Sequence, residues 1–337
     1  MTEFNIEEYL NSLPDDVVTI DVRFKYINYL PELSRFKNLK ELNCSENKLT
    51  SLPDLPENLE KLDCYSNYLT SLPILPKNLQ VLHCHNNQLT SLPVLPENLK
   101  VLFCRYNNLK LLPYLNKNLE LLFCNNNQLT SLPALPENLL DFHCENNNLT
   151  LLPNLNNNLH LLWCSNNILS SLPVLPENLK DLHCDNNQLT WLPVLPDNLK
   201  YLYCHINKLT SLPVLPKNLI HLYCHHNQLT SLPVLPDNLK YLYCHINKLT
   251  SLPYFNKNLY LLNYYNNPIY EIIYNNDLNI TKKKIKILNN FRYLYYCLKH
   301  RKRFLKMMEP IIKKKYHPSY LYDLTENDNL DEKLNEW

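Results

Sequence analysis

The sequence predicts a parallel β-solenoid, in which short strands stack coil upon coil and extended, proline-rich limbs carry the chain back. Three observations lead there. Residues 192–213, LPVLPDNLKYLYCHINKLTSLP, recur letter for letter at 232–253, and related copies run back to Leu42 in 20-residue steps. Within one step, apolar Leu62 and Cys64 alternate with variable residues at 61, 63 and 65, the pattern of a strand with one buried face. The Leu-Pro-x-Leu-Pro stretch that follows fits neither a central strand nor a helix interior, because proline cannot donate to a ladder. It favours an extended path. The same side chain returning at the same place requires parallel strands, and one coil cannot cover its own leucines. Stacking buries them in a continuous column.

Two asparagine series support this reading. Asn47, Asn67, Asn87 and so on to Asn267 recur without a break. An amide with two donors and an acceptor can satisfy turn backbone in its own coil and the next. The second series, Asn38 and Asn58 through Asn258, precedes the strand leucine and shapes the other turn. The chain has no glycine, so left-handed turn positions are expected to use asparagine.

The pattern LPxLPxNLxxLxCxxNxLTSLP resembles the short, 20-residue class of leucine-rich repeat found in bacterial effectors of the YopM and IpaH type. The resemblance implies leucine-rich repeats and protein binding on the concave strand face. IpaH-type effectors also carry a catalytic domain with a nucleophilic cysteine after the repeats. About 65 residues follow the repeats here, too few for that domain, so no enzyme is expected. The layout and C-terminal tail resemble leucine-rich repeat proteins of giant DNA viruses. That likeness implies a protein acting on host factors inside a cell, in the cytoplasm or alternatively the nucleus.

Taken in order, Asn5 with Glu8 three residues later forms a capping-box pattern, and residues 1–19 are expected to be a helical cap. The solenoid spans 20–273 in about 13 coils. The first is longer by two residues, and Asn116, Asn156 and Asn256 replace the second proline in three others. Residues 274–337 form a tail. Ile285, Leu288, Phe291, Tyr295, Leu298, Leu305, Met308 and Ile312 recur mostly at spacings of three or four, which predicts an amphipathic helix. Its many Lys and Arg residues make it basic, whereas the segment ending at Trp337 is acidic.

The net charge of +1 argues against a chain-wide attraction to nucleic acid. No apolar run is long enough for a membrane span, and no signal peptide is evident. Of the 12 cysteines, Cys44 to Cys244 form one column at the inward strand position, and reduced, buried thiols are expected there. Cys297 is read as a buried small residue on a helix, not a nucleophile.

The outward positions decide function. The central column includes Phe103, Phe123, Trp163, Tyr203, Tyr223 and Tyr243. Tyr201, His221 and Tyr241 flank it on one side, and His205, His225 and His245 on the other. Aromatics bring large contact area with few rotors and are enriched in interfaces. These twelve residues are the candidate partner-binding site. The competing reading is cross-strand packing alone. A shared ion on His205, His225 and His245 is the sharper alternative, but without a visible supporting shell no metal or cofactor is expected. The expected function is non-enzymatic protein binding by a monomer. The alternative is nucleic-acid or anionic-surface binding through the basic residues in 282–315.

Overall fold

The computed structural model describes residues 4–274 and 277–299, together with Arg303 and Lys306; the side chains of 296–298 are excepted. The chain divides into two compact units, 1–274 and 275–337. The first opens with helix α1, Ile6–Ser12, whose N-cap Asn5 accepts hydrogen bonds from the backbone N–H groups of Glu7 and Glu8. That satisfies two of the donors every helix start leaves free. Ile6 and Leu10 are buried. At the other end the Arg35 guanidinium donates to the carbonyls of Leu10 and Leu13 and to Asp15.

Strands then follow once per coil, each three residues long, from Thr19–Asp21 (β1) and Glu41–Asn43 (β2) to Leu261–Asn263 (β13). All 13 lie parallel in one sheet, in strict sequence order. The register is uniform: Leu202 pairs with Leu182 and Leu222, and Tyr203 with His183 and Tyr223. Backbone bonding continues past each strand, as where Cys104 N–H donates to Phe123 O and Tyr106 N–H to Asn125 O. A three-residue strand is thus held by a longer ladder.

The core is one column of leucine and cysteine. The strand leucines from Leu42 to Leu242 and all eleven thiols from Cys44 to Cys244 are buried and unpaired with one another, Phe142 replacing leucine once. Burial pushes every thiol pKa up, to about 12 for Cys104, so these are inert apolar groups.

The asparagine ladder closes the turns. Asn147 Nδ2 donates to the carbonyls of Cys144 and of Cys124 one coil earlier, and its Oδ1 accepts from Leu129 N–H. The bridged neighbour is therefore the preceding coil, not the following one. The left-handed residue is not the ladder asparagine but the one before it. Asn fills that place at 86, 126, 146, 166, 186 and 266, whereas Glu46, Ser66, Tyr106, Ile206, His226 and Ile246 fill it elsewhere. The expectation that asparagine would supply these positions thus holds only in part. Hydrogen bonds from the ladder amide and the next coil hold the backbone there regardless of side chain.

The return limb carries no regular structure and ends in a turn where Leu59 N–H donates to Pro56 O. Where asparagine replaces that proline, its amide reaches back one coil: Asn116, Asn156 and Asn256 donate to the carbonyls of Pro96, Pro136 and Pro236. A hydrogen bond replaces proline's fixed φ.

After β13 a short helix, Tyr270–Ile273 (α2), ends the first unit. In the second, helix α3 runs Leu278–Lys299. Of the expected stripe Ile285 is buried and Leu288 half-buried, whereas Phe291 and Tyr295 are exposed, as are Ile287 and Leu294 outside it. Leu298, Leu305, Met308, Ile312, the thiol of Cys297 and the acidic end lie outside the described residues. Among the described residues no helix is long and apolar enough to cross a membrane.

Candidate functional site

In-register parallel pairing puts the third residue of each strand directly beside its counterpart, at the strand spacing of about 4.8 Å. Rings at that position therefore stack. Starting from His83, the series Phe103, Phe123, His143, Trp163, His183, Tyr203, Tyr223, Tyr243 forms one unbroken pile with centroids 4.0–4.6 Å apart. Asp63 closes its N-terminal end, holding His83 Nδ1 at 2.7 Å and Lys61 Nζ at 3.0 Å. Burial alone would raise the Asp63 pKa, but these two partners outweigh it and hold the carboxyl below its usual range.

This geometry changes what the face offers. The ring faces cover one another, and each ring is half-buried. A partner would meet ring edges, which are electropositive, along with hydroxyl and imidazole groups. Trp163 Nε1 is buried without a hydrogen-bond partner. The aromatic stripe is thus both a packing device and a surface, and the two readings are not exclusive.

The flanking columns are shorter. Tyr201, His221 and Tyr241 stand side by side, with centroids 5.0 and 4.4 Å apart. On the other side His205, His225, His245 and Tyr265 stack at 4.3, 4.3 and 4.4 Å. His245 is the exception to the expected outward display. Sandwiched between His225 and Tyr265 it is only 7% exposed, so it is not open to a partner as the other eleven candidates are. Burial and neighbouring imidazoles push His225 down to about 3, and burial brings His245 down to about 4; both rings are neutral at pH 7.

Two features were not anticipated from the sequence. His226, in the left-handed turn position, meets both His225 and His245 edge-on, at 5.2 and 5.4 Å. On the return limb, the x of LPxLP is an exposed apolar ridge: Ile74 and Val94, then Val174, Val194, Val214 and Val234, each at least 85% exposed. The repeating Val at that position was the available signal.

A sheet face of stacked, half-open side chains on a coil-by-coil scaffold defines a repeat protein whose surface is built by periodicity. A family model for leucine-rich repeats, in two copies, matches residues 57–97. YopM from Yersinia enterocolitica is similar at 39% identity over 76% of this chain, with a TM-score of 0.74; the chain spans 56% of that protein's length. YopM from Yersinia pestis shares 31% identity over 74% of this chain and 88% of its own, with a TM-score of 0.49. A leucine-rich repeat protein of Leptospira interrogans shares 28% identity over 78% of this chain and 87% of its own, with a TM-score of 0.56. No curated protein sequence matches. The chain belongs to the leucine-rich repeat family.

Proposed function

We propose that this protein is a non-enzymatic binding module that takes a protein partner on its strand face, through Phe103, Phe123, Trp163 and the Tyr/His columns from Tyr201 to Tyr243. The observation that carries this is the ring pile: a continuous aromatic surface that stays half-open along nine coils. Solenoids of stacked repeats use such extended faces for binding. Ring edges, tyrosine hydroxyls and neutral imidazoles fit a partner that presents backbone carbonyls and aromatic faces. The similarity to bacterial effector repeats supports a pathogen protein acting on host factors within the host cell; a viral protein in the same role is the reading the tail's resemblance suggests.

The test replaces Trp163, Tyr203 and Tyr223 together by asparagine, the residue that occupies the same strand position at Asn43 and Asn263. Capture of a partner from host lysate should be lost while circular dichroism stays unchanged; undiminished capture would overturn the proposal. A second reading rests on Lys282, Lys283, Lys284, Lys286, Arg292 and Lys299 of α3, a cationic helix suited to phosphates. Removing residues 281–337 would abolish salt-sensitive DNA retention under that reading and leave protein capture intact under the first.

A further inference from the structure

Residues 192–213 and 232–253 are identical, and they carry Ile206 and Ile246 at the left-handed turn position. The coil between them carries His226 there, directly after His225. Together with His245 of the next coil these place three imidazoles around one point, with ligand-capable nitrogens all within 4.8 Å of one another. His225 and His245 lie nearly parallel, 12° between planes, so equivalent nitrogens sit side by side. His226 stands across them at 71° and 81°.

A second observation is independent of this clustering. Nδ1 of His225 and of His245 is buried with no hydrogen-bond partner. Buried polar atoms without partners are uncommon in native proteins, and a bound ion can supply the missing partner. Nδ1 of His85, His205 and His221 is likewise unpartnered, so what singles out this place is the third converging ring, found among the described residues only at His225, His226 and His245. Only imidazole is on offer, since the neighbouring Cys224 and Cys244 point into the core.

We propose that His225, His226 and His245 form a three-nitrogen site for a borderline divalent transition metal, zinc above all, with the fourth position open to solvent on the side of exposed His226. Neutral imidazole is the ligand such ions share, and three histidines plus one exchangeable position is an established zinc donor set. Zinc–nitrogen bonds of about 2.0–2.1 Å require the three nitrogens to draw in to roughly 3.4 Å of one another. His226, exposed and at the edge, has room to move in, and the stacked His225 and His245 rings, 4.3 Å apart at their centroids, tilt toward one another to bring their own nitrogens to that spacing.

The test uses the full chain without a histidine tag. Zinc titrated by calorimetry should bind with one equivalent per chain. Cobalt(II) should develop the intense visible bands of a four-coordinate site. X-ray absorption should show a first shell of nitrogen and oxygen. His226→Asn is the deciding variant, because asparagine already occupies this turn position in six other coils and the fold will tolerate it. It should weaken zinc by at least about 100-fold, more than loss of a supporting residue around a ligand costs, whereas His143→Phe should leave binding unchanged. No zinc heat, binding undiminished in His226→Asn, or sulfur in the first shell would each overturn the site. None of these results depends on the protein partner, so the two proposals fail separately.

Discussion

Replacing Asn147 by alanine removes four hydrogen bonds from the middle of the ladder. Its Nδ2 donates to Cys124 O, Cys144 O and Glu145 O at 3.2, 3.1 and 3.3 Å, and its Oδ1 accepts from Leu129 N–H at 2.9 Å. The losses are unequal. Cys124 O keeps the amide of Asn127, and Cys144 O keeps that of Asn167, so neither carbonyl is orphaned. Leu129 N–H has no such second partner. One buried donor left unsatisfied costs about 1–3 kcal/mol, and the other bonds contribute about 0.5–1.5 kcal/mol each, much of it retained by the surviving amides. The expected loss is roughly 3 kcal/mol. Asn138, exposed and making a single bond to Lys117 O, serves as the control and should cost under about 1 kcal/mol. Urea unfolding followed by circular dichroism measures both. Because each coil is coupled only to its neighbours, the Asn147 variant should also broaden or split the transition. A variant within about 0.5 kcal/mol of the parent would refute the claim that these amides hold the turns.

Other outcomes follow from the same structure. Ile206 has a left-handed backbone with φ 51°, which costs a β-branched residue roughly 1–2 kcal/mol; Ile206→Asn should raise the urea midpoint, and Asn86→Ile should lower it. Native thiol labelling of Cys44 to Cys244 should be negligible and become fast only on unfolding, since every one of these side chains is buried. Burial holds His85, His143 and His245 near 4 and His225 near 3, against 6.5 for the free side chain. The unfolded chain therefore binds more protons, and stability present above about pH 6.5 should fall as pH drops toward 4. Asp141 and Glu145, raised by burial, act in the opposite sense and only partly offset this. Melting temperature across that range checks the sign, and His143→Phe, which extends the Phe123 stack, should flatten the decline.

Much of this architecture could be read from the sequence because a 20-residue period fixes both register and facing. Leu62 and Cys64 had to point inward once 61, 63 and 65 varied, and the column of rings followed. Four things were less legible. Both neighbours of a coil lie the same distance away in sequence, so nothing in the pattern told Asn147 to bridge backward. The left-handed site tolerates Tyr106, Ile206 and His226, and a variable column carries no compositional mark. His226 meets His245 only because that turn brings consecutive histidines against the following coil, an event of backbone handedness. The closeness of stacking likewise decided which imidazoles stay open: Tyr265 covers His245, while nothing in the spacing of His205, His225 and His245 distinguishes them.

Which face meets a partner is the central question, and site-specific photocrosslinking asks it directly. A benzophenone-bearing phenylalanine at Tyr203 keeps a ring in the pile, and the same group at Val214 sits on the exposed return-limb ridge. Irradiation in host lysate should give a discrete crosslinked product from position 203 and none from 214. A product from 214 alone would contradict binding at the strand face and move it to the valine ridge.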